Sequence, residues 1–432
     1  MAVEKIIVGR SREDFSKFGS SGTIFIGKHI VGRGDEAHLT NPICMDVVRP
    51  HIVLICGKRG SGKSYSAGVI AEEMVALPKE IRQNLSVLMI DTMGIYWSMK
   101  RPNEKERQIL ESWGLRPGAM RDMQFFIPKG WMEEYEKAGI GFDFPFTLPT
   151  GELTSQDWMI TFGFGMLDEH GLAIERAIKS LKQRFGDYYS IDDILKEIEK
   201  DAKADRKVKN ALTSRFMAAQ DWGVFEKKGT PIDKFLQPGK ISVIDISHYL
   251  RSSTGWSVRT LVTGIFSRRI FQARLMARKK EEIEVITGEE KRSMPMIWMI
   301  MDEAHQFIPS EGVTAASESI LTLIKEGREP GISLVLITQI PNKLHSDALA
   351  QSDLVISHRL TSEADISALR GIMQSYVLED IQELINNLPR QKGSAIVLDD
   401  NSERIYTIQI RPRTSWHAGG SPMAIKEKGI FD

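Results

Sequence analysis

One segment of the sequence has the composition and spacing of a phosphate-binding loop. Residues 57–64 are GKRGSGKS and fit the pattern G-x-x-x-x-G-K-[ST]. They lie between an apolar run at 52–56 and an amphipathic stretch at 65–77, which is the strand-to-helix setting that such a loop requires. In that setting, backbone N–H groups and the helix N-terminus face the phosphates. We expect Lys63 to reach the β- and γ-phosphates of ATP and Ser64 to ligate Mg²⁺.

A second candidate is a pair of adjacent carboxylates at the end of another apolar run. Residues 299–301 are apolar and lead directly into Asp302 and Glu303. At the carboxyl edge of a parallel sheet, Asp302 would hold the Mg²⁺ shell and Glu303 would polarise the attacking water. The alternative is that both acids are solvated turn residues or cap the next helix. The phosphate-binding loop favours the first interpretation, because that loop creates a specific need for such a pair.

Two further polar residues could contact the γ-phosphate. Gln339 ends the apolar run 332–339 and could hydrogen-bond the γ-phosphate or the lytic water, although a satisfied strand-end glutamine is the alternative. Arg328 lies just before that run, in the segment KEGREPG. It could be an arginine finger that reaches the nucleotide of a neighbouring subunit, or a basic residue that suits a helix C-terminus. The spacing alone favours neither reading of Arg328.

Two aspartates come at the ends of apolar runs and could line the same sheet edge. Asp91 follows the run 86–90, and Asp245 lies near the end of the run 241–246. Open α/β sheets bind ligands at the carboxyl ends of their strands, so Asp91 is expected near the nucleotide. Asp245 could equally be a loop-forming residue. The predicted nucleotide contacts are Gly57, Lys58, Arg59, Gly60, Ser61, Gly62, Lys63, Ser64, Tyr65 and Asp91.

The histidines and cysteines offer no further site. His305, His345 and His358 have no ligand-like spacing, so we interpret them as ordinary core or loop residues. The chain has only two cysteines, which is too few for a disulfide framework, and no spacing of cysteine and histidine suggests zinc. Cys56 adjoins the phosphate-binding loop, and we expect it to be a small buried thiol at a strand end.

The elements that must position these residues alternate between strands and helices. Strand-like apolar runs recur at 52–56, 86–90, 241–246 and 332–339, and helical stretches separate them. Such alternation predicts the α/β class, with a mainly parallel sheet covered by helices on both faces. A pair of strands at 394–398 and 404–410 is expected to follow.

Composition and periodicity divide the chain into several parts. The charged segment 279–293 is expected to be an exposed loop. The predicted parts are a small N-terminal β element at 1–50, an ATPase core at 51–100 and 240–415, a mainly helical insertion at 101–239, and a C-terminal tail at 416–432.

Charge and hydropathy exclude several classes of protein. The 432 residues include 57 Lys and Arg against 57 Asp and Glu, so bulk electrostatics cannot drive binding to nucleic acid and any such contact must be local. No apolar run approaches the roughly 18 residues needed to cross a bilayer, and the N-terminus is charged where a signal peptide is apolar. We therefore predict a soluble, cytoplasmic protein without membrane insertion.

These motifs, in this order, resemble the HerA family of hexameric DNA-translocating ATPases, which are related to FtsK and to conjugative coupling pumps. The resemblance extends over most of the chain from about residue 52. It implies a RecA-like core, with Lys63 and Ser64 as Walker A and with Asp302 and Glu303 as Walker B. It also implies that Gln339 is the sensor and that Arg328 is the finger acting in trans. The segments that carry it are HIVLICGKRGSGKS, IDTMG, GKISVIDIS, MIWMIMDEAHQFIP, KEGREPGISLVLITQIPNKL, SDLVISHRL and IRPRTSWHAGG.

The sequence departs from the family pattern at two places. About fifty residues precede the P-loop, whereas HerA-like proteins usually begin with a β-barrel, so that barrel is expected to be truncated or rebuilt. Gly94 is followed by Ile95, where the family commonly has an acidic residue. The string DEAH suggests DEAH-box helicases instead. We reject that reading, because too few residues follow Glu303 for a second motor domain.

The resemblance implies a function and partners. We expect a homo-hexameric ring that translocates or unwinds double-stranded DNA in end processing, repair or defence, with a NurA-type nuclease or another effector as partner. The alternative is an ATPase motor for protein secretion, pili or conjugation. Because the chain is neutral, its grip on DNA should come from a few basic residues repeated around the ring; Lys207, Lys209 and Arg215 are candidates.

Overall fold

The computed structural model describes residues 4–32, 36–251, 255–288, 294–372 and 381–420 of the chain. All structural statements below refer to these residues. Their strands are β1 Ile6–Val8, β2 Thr23–Val31, β3 His38–Asp46, β4 Ile52–Cys56, β5 Leu85–Asp91, β6 Met123–Pro128, β7 Phe144–Phe146, β8 Leu148–Pro149, β9 Phe225–Glu226, β10 Ile241–Asp245, β11 Met296–Met301, β12 Ile332–Thr338, β13 Leu354–His358, β14 Ser394–Asp399 and β15 Arg404–Ile410.

Helices occupy most of the intervals between these strands. Among the described residues, the longest is α10, with 33 residues. The α-helices are α1 Arg12–Phe18, α2 Lys63–Ala76, α3 Lys79–Arg82, α4 Arg107–Ser112, α5 Met132–Lys137, α6 Ser155–Phe162, α7 Glu169–Phe185, α8 Ile191–Lys200, α9 Arg206–Gln220, α10 Gly255–Thr287, α11 Ser317–Glu326, α12 Ser346–Ala350, α13 Glu363–Ile372 and α14 Ile381–Asn387. In this part of the chain, no helix is both long enough and apolar enough to cross a membrane.

Thirteen strands form one sheet, in the order β1-β3-β2-β15-β14-β13-β4-β12-β11-β5-β10-β6-β7. The strands from β13 to β7 in this order run parallel to their neighbours. In each of β4, β11 and β12 nearly every residue is buried, because helices cover both faces of the sheet. The predicted α/β class with a mainly parallel sheet is confirmed.

Each face of the sheet has its own hydrophobic core, and β4 shows how the pleat separates them. Leu54 and Cys56 face a core that contains the side chains of α10 and α11. Val53 and Ile55 face a second core, which contains the buried side of α2. Successive side chains of a strand point to opposite faces. The strand before the P-loop is therefore fixed from both sides, and so is the position of the loop.

The N-terminal strands belong to the same sheet. Within the predicted N-terminal β element at 1–50, residues 38–46 form β3, and β2 pairs with β15 in antiparallel orientation. His51 lies at the junction: its Nδ1 is 2.6 Å from Oδ2 of Asp353, and its Nε2 is 3.2 Å from Oδ2 of Asp46. Arg10 Nε donates a 3.0 Å hydrogen bond to Asp46 as well. Buried charges thus tie these strands to β4.

The segment 101–239 is not purely an insertion of helices. It contains α4 to α9, but it also contains β6, which pairs with β10 and extends the central sheet. The sequence did not mark this strand, because MQFFIP is short and buried on both faces and so lacks the alternation of a half-buried strand. The division of the chain into domains remains a prediction.

The charged segment 279–293 is not a loop over its first part. α10 continues through Thr287, so the expectation of an exposed loop is wrong for 279–287. The charges stabilise the helix: Arg278 contacts Glu281 and Glu282, one turn further on. Residues 289–293 lie outside the described residues, as does 421–432 of the expected tail.

Candidate nucleotide-binding site

The P-loop joins the carboxyl end of β4 to the N-terminus of α2. Gly57, Gly60 and Gly62 all have positive φ angles, of 149°, 75° and 116°. A Cβ atom on Gly57 would lie 2.6 Å from Cβ of His358 and 2.7 Å from Oγ of Ser61. Gly57 is therefore required both by its backbone conformation and by its close neighbours. The loop leaves the first N–H groups of the 14-residue α2 free to face an anion.

His358 is fully buried, in line with the predicted core or loop residue, and it also contacts α2 just after the P-loop. Its Nε2 lies 2.9 Å from Oγ of Ser66, and its Nδ1 lies 3.1 Å from the carbonyl oxygen of Ser394. Burial lowers the pKa of His358 to about 4, so the ring is neutral at pH 7. The Lys58 N–H donates to the carbonyl oxygen of Arg359 at 2.9 Å. The residues at the end of β13 therefore contact Lys58 in the first half of the loop and Ser66 just after the loop.

Lys63 and Ser64 turn towards the acidic end of β11. Ser64 Oγ donates a 3.0 Å hydrogen bond to Oδ2 of Asp302. Lys63 Nζ donates to the carbonyl oxygen of Lys58 at 3.2 Å, inside the loop itself. Burial lowers the pKa of Lys63, while the nearby charges of Glu303 and Asp302 oppose that shift. The ammonium group therefore lies where a phosphate would compensate its lost hydration.

Glu303 occupies an unusual backbone conformation beside Asp302. Its φ is 52° and its ψ is 45°, the left-handed region that non-glycine residues rarely adopt. The Glu303 N–H donates to Oδ1 of Asp302 at 2.9 Å, which helps to hold this turn. Oε2 of Glu303 is buried without a hydrogen bond. Burial, reinforced by the charge of Asp302, raises the pKa of Glu303 to about 7. Glu303 thus combines a strained backbone conformation with a buried carboxylate whose pKa is raised.

His305, which the sequence suggested to be an ordinary core or loop residue, lies beside this acidic pair. Its Nδ1 is 3.0 Å from Oγ1 of Thr338 and 3.6 Å from Oε2 of Glu303. Burial lowers the pKa of His305, with a smaller contribution from the charge of Lys63. A neutral imidazole thus connects the end of β11 to the end of β12. His345, in contrast, accepts a hydrogen bond from the N–H of Asp347 at the start of α12.

The oxygen atoms of Ser64 and Asp302 suit Mg²⁺. A hydroxyl and a carboxylate are hard ligands, and Mg²⁺ commonly keeps its other positions for phosphate and water. Among the described residues, no group of three or more His, Cys, Asp or Glu side chains could hold a metal ion by itself. A site with two protein ligands fits that pattern. Tyr96, whose hydroxyl is buried, lies near both residues and was not anticipated.

Asp91 and Asp245 lie side by side at the same sheet edge, because β5 and β10 pair in register at these positions. The N–H groups of Met93, Gly94 and Tyr96 donate to the carboxylate of Asp91 at 3.2, 2.7 and 2.9 Å. Burial and the charge of Asp245 raise the pKa of Asp91 to about 8. Asp91 therefore organises the loop that carries Tyr96, and its oxygens already have three donors.

The structure brings Gln339 to this edge but places Arg328 elsewhere. Thr338 pairs with Cys56, so Gln339 emerges from β12 next to the start of the P-loop. Arg328 precedes β12, at the opposite end of the strand, and its side chain is exposed. Arg328 lies in a shallow cleft with Phe271 and Leu275.

Cys56 itself is fully buried, as expected, and burial raises the pKa of its thiol to about 12.

Tyr65 lies at the site but turns away from the P-loop. Its hydroxyl donates a 2.7 Å hydrogen bond to Oε2 of Glu106 and accepts one of 2.6 Å from the N–H of Arg413. The edge of its ring packs against His417 at a centroid distance of 5.4 Å. Tyr65 thus connects α2 to the C-terminal segment 411–420. Its predicted contact with the nucleotide remains a prediction.

Arg259 is a second residue near the site that sequence reasoning missed. It lies on the second turn of α10 and is 6% exposed. The charge of Glu303 acts on it across the site, and burial lowers the pKa of its guanidinium. No local motif marks Arg259, because only the packing of α10 beside β11 brings it near Glu303. A basic residue in an otherwise apolar helical stretch, RTLVTGIF, was the available signal.

Comparisons with known proteins identify the family of this chain. Residues 24–270 match the protein family described as helicase HerA, central domain. The DNA double-strand break repair helicase HerA of Pyrococcus furiosus is 27% identical over 180 residues, which span 38% of this chain and 31% of that protein. The protein of the same description from Sulfolobus acidocaldarius is 23% identical over 431 residues, which span 96% of this chain and 75% of that protein. This chain therefore matches less than a third of the Pyrococcus relative.

Solved structures confirm the fold. VirB4 of Thermoanaerobacter pseudethanolicus superimposes with a TM-score of 0.56 at 12% identity, over 91% of this chain and 97% of that chain. The similarity shows the predicted RecA-like fold of the core. The family match covers more than half of the chain and includes the P-loop itself, from Gly57 to Ser64. This chain therefore belongs to the HerA family of P-loop ATPases.

Proposed function

We propose that the protein hydrolyses ATP and uses the energy, as a homo-hexameric ring, to translocate or unwind double-stranded DNA. One observation carries the hydrolytic part: Ser64 and Asp302 are joined by a 3.0 Å hydrogen bond, with Lys63 and Glu303 beside them. A phosphate cradle, a hydroxyl–carboxylate pair and a buried base thus meet at one edge of the sheet. That set is sufficient for hydrolysis of a phosphoanhydride.

Each residue has a definite task in the proposed reaction. The P-loop N–H groups and Lys63 hold the phosphates, and Ser64 and Asp302 would hold Mg²⁺, which neutralises charge on the β- and γ-phosphate oxygens when bound. Glu303 accepts a proton as water attacks the γ-phosphorus. The new O–P bond forms as the bond to the bridging oxygen breaks, so that ADP and phosphate leave. Gln339 would orient the water from the end of β12.

The position of Arg328 supports a ring. The seven residues of β12 separate Arg328 from the edge that carries Gln339. At about 3.3 Å per residue, that distance is roughly 20 Å, too far for an arginine side chain to reach its own site. Arg328 can therefore act on a γ-phosphate only across a contact with another copy. Head-to-tail contacts of this kind form a ring when the rotation from one copy to the next closes.

The DNA part of the proposal rests on the relatives and on a few basic side chains. Lys207 and Arg215 are exposed on α9, whereas Lys209 Nζ donates to the carbonyl oxygen of Glu199. Lys207 and Arg215 are thus the better candidates for contacts with the phosphate backbone. Two curated relatives are described as DNA double-strand break repair helicases. A NurA-type nuclease or another effector as partner, and a cytoplasmic location, complete the proposal.

The test is the rate of ATP hydrolysis with and without linear duplex DNA at moderate salt. We expect the duplex to raise the rate, and Lys63→Ala to abolish turnover in both conditions. A double substitution, Lys207→Glu with Arg215→Glu, should remove the stimulation and leave the basal rate intact. A rate of ATP hydrolysis that duplex DNA does not change would instead favour a motor for protein secretion, pili or conjugation. Absence of any hydrolysis by the unmodified chain would overturn the ATPase proposal itself.

A further inference from the structure

Arg259 is the one arginine of α10 that lacks a carboxylate contact among the described residues. The helix carries five arginines. Arg268 contacts Asp157, Arg269 contacts Glu152, Arg274 contacts Glu281, and Arg278 contacts Glu281 and Glu282. Arg259 has only a 3.3 Å hydrogen bond from Nε to the carbonyl oxygen of Gly255, within its own helix. Its position is therefore not explained by an ion pair.

The unused end of Arg259 is also buried. Nη1 is inaccessible to solvent and has no hydrogen-bond partner, although the residue as a whole is 6% exposed. A buried charge without a partner costs several kcal/mol in a protein interior. Such a group is retained where a second state of the molecule supplies the missing partner. Since Arg259 lies near the site, that second state is the one with nucleotide bound.

Glu303 is the acidic group whose charge acts on Arg259. The charge of Glu303 opposes the effect of burial on Arg259, and the charge of Arg259 opposes the effect of burial on Glu303. The two side chains are nevertheless not in contact, since no ion pair joins them within 4.0 Å in the described part of the chain. Oε2 of Glu303 is buried and likewise lacks a hydrogen bond. Arg259 Nη1 and Glu303 Oε2 are thus two buried polar atoms of opposite charge that both lack a hydrogen bond.

We propose that Arg259 is a positioning residue of the ATPase centre, whose Nη1 engages the Glu303 carboxylate when nucleotide is bound and aims that carboxylate at the attacking water. This inference rests on the proposed ATPase function. The backbone φ of 52° at Glu303 fits the same idea, because strained backbone conformations are concentrated at functional sites, where the surrounding contacts hold them. Arg259 therefore acts from within the same chain and is distinct from Arg328, which requires a neighbour.

The first test separates turnover from affinity. Arg259→Gln keeps much of the volume of the side chain and removes its charge. We expect kcat to fall on the order of 100-fold, the usual scale for general-base catalysis. The affinity for a fluorescent ATP analogue, measured by equilibrium binding, should change by no more than about twofold, because the P-loop is untouched. Arg259→Lys, which keeps the charge but has a shorter reach, should recover part of kcat.

Controls on the same helix distinguish positioning from mere stability. Arg278→Gln, on the exposed part of α10, should leave kcat and affinity unchanged. Arg274→Gln removes a buried arginine that contacts Pro330, Met294 and Glu281. It should lower the midpoint of thermal unfolding, and it should not lower kcat selectively while the affinity for nucleotide stays the same. If Arg259→Gln fails to fold, the milder Arg259→Lys must show the same split between kcat and affinity.

A double-mutant cycle with Glu303→Gln is the sharper test. If Arg259 acts through Glu303, adding Arg259→Gln to Glu303→Gln should cause no further loss in single-turnover hydrolysis. Independent, multiplicative losses would overturn the inference, and so would a loss of ATP affinity as large as the loss of kcat. Normal turnover by Arg259→Gln would also overturn it. In each of these cases the unmodified chain still hydrolyses ATP, whereas failure of the ATPase proposal would leave the unmodified chain inactive.

Discussion

The hydroxyl of Ser64 and the carboxylate of Asp302 are hydrogen-bonded at 3.0 Å, although 238 positions separate them in the chain. The contact forms because β4 and β11 are separated in the sheet only by β12, so that the residues following β4 and β11 emerge at one edge. Asp302 is 3% exposed, and burial raises the pKa of its carboxyl group. A cation between the two oxygens would relieve that cost.

Ser64→Ala should therefore weaken the response of turnover to Mg²⁺ more than it weakens folding. We expect the half-saturating Mg²⁺ concentration for ATP hydrolysis to rise on the order of tenfold, a typical loss for one altered contact at a metal site. The measurement is the ATPase rate across a MgCl₂ titration. Ser66→Ala is the matched control on α2: its hydroxyl contacts His358 rather than Asp302, so the half-saturating concentration should not move. An unchanged titration for Ser64→Ala would contradict the assignment.

Arg328→Ala should abolish turnover by removing a residue that a neighbouring site needs. The loss of kcat should reach about 1,000-fold, the lower end for an arginine finger, while binding of ATP stays near normal. Lys325→Ala is the control, because Lys325 is exposed in the same segment and pairs with Asp347 instead. Its turnover should equal that of the unmodified chain.

Mixed assemblies can show that Arg328 acts in trans. Lys63→Ala inactivates its own site but retains Arg328, whereas Arg328→Ala retains a complete P-loop. When the two inactive variants are mixed and allowed to exchange subunits, some sites will combine an intact P-loop with a neighbour's Arg328. Hydrolysis should reappear in the mixture at a level set by random mixing. A mixture as inactive as its two components would refute the arrangement.

The contrast between Lys63 and Arg259 explains how much of the site could be predicted. The residues from Gly57 to Ser64 form a local pattern, and their strand-to-helix context is local too. Asp302 and Glu303 could be expected at the same edge, because parallel strands all end there. Arg259 depends on how α10 packs over the sheet, and no spacing along the chain encodes that packing. His305 and Tyr96 were missed for the same reason.

The fold shows a similar division between local and distant signals. Buried strands such as β12 are continuous apolar runs and were predictable. In β3, three of the four residues HLTN are polar and Pro42 interrupts the pattern, so only pairing with β2 reveals the strand. The charged end of α10 was taken for a loop, because the sequence does not reveal which charges are one helical turn apart until the helix is known. The positions at which β3 and α10 begin and end therefore depend on tertiary contacts more than on the intrinsic helix or strand propensity of their residues.

Glu72→Ala should destabilise the protein and release the C-terminal segment 411–420 from α2. The buried carboxylate of Glu72 contacts Arg411 at 3.0 Å and Arg413 at 3.3 Å, and it accepts further hydrogen bonds from Thr414 and Ser415. The two arginines hold the pKa of Glu72 below its usual range despite its burial. Removing one partner from a buried ion pair costs about 3–5 kcal/mol, so the urea midpoint should fall markedly.

The same substitution should expose the segment to proteases. Limited proteolysis followed by mass spectrometry should find new cleavage sites between Arg411 and Trp416 in the Glu72→Ala variant. Glu80→Ala, at an exposed position just beyond the same helix, should change stability by less than about 0.5 kcal/mol and add no cleavage site. A Glu72→Ala variant as stable as Glu80→Ala would show that the buried network contributes nothing net.

His51 should make stability depend on pH on the alkaline side. The ring lies between the carboxylates of Asp46 and Asp353, which raise its pKa to about 9 although burial alone would lower it. A folded-state pKa above the unfolded value of 6.5 means that the stabilisation is fully present below about pH 6.5 and is lost as pH rises through 9. A shift of this size corresponds to on the order of 3 kcal/mol.

His51→Gln provides the reference for this effect, since other groups also titrate between pH 6 and 10. Glutamine can keep one hydrogen bond to Asp46 or Asp353 but cannot carry the charge. The free energy of unfolding, from urea titrations, should favour the unmodified chain by on the order of 3 kcal/mol at pH 6, and this gap should close as pH rises to 10. Lys17→Ala, at an exposed pair with Glu13, should show a gap that does not change with pH over this interval. A gap for His51→Gln that stays constant from pH 6 to pH 10 would mean that His51 is neutral in the folded protein, and that Arg10 alone compensates the buried charge of Asp46.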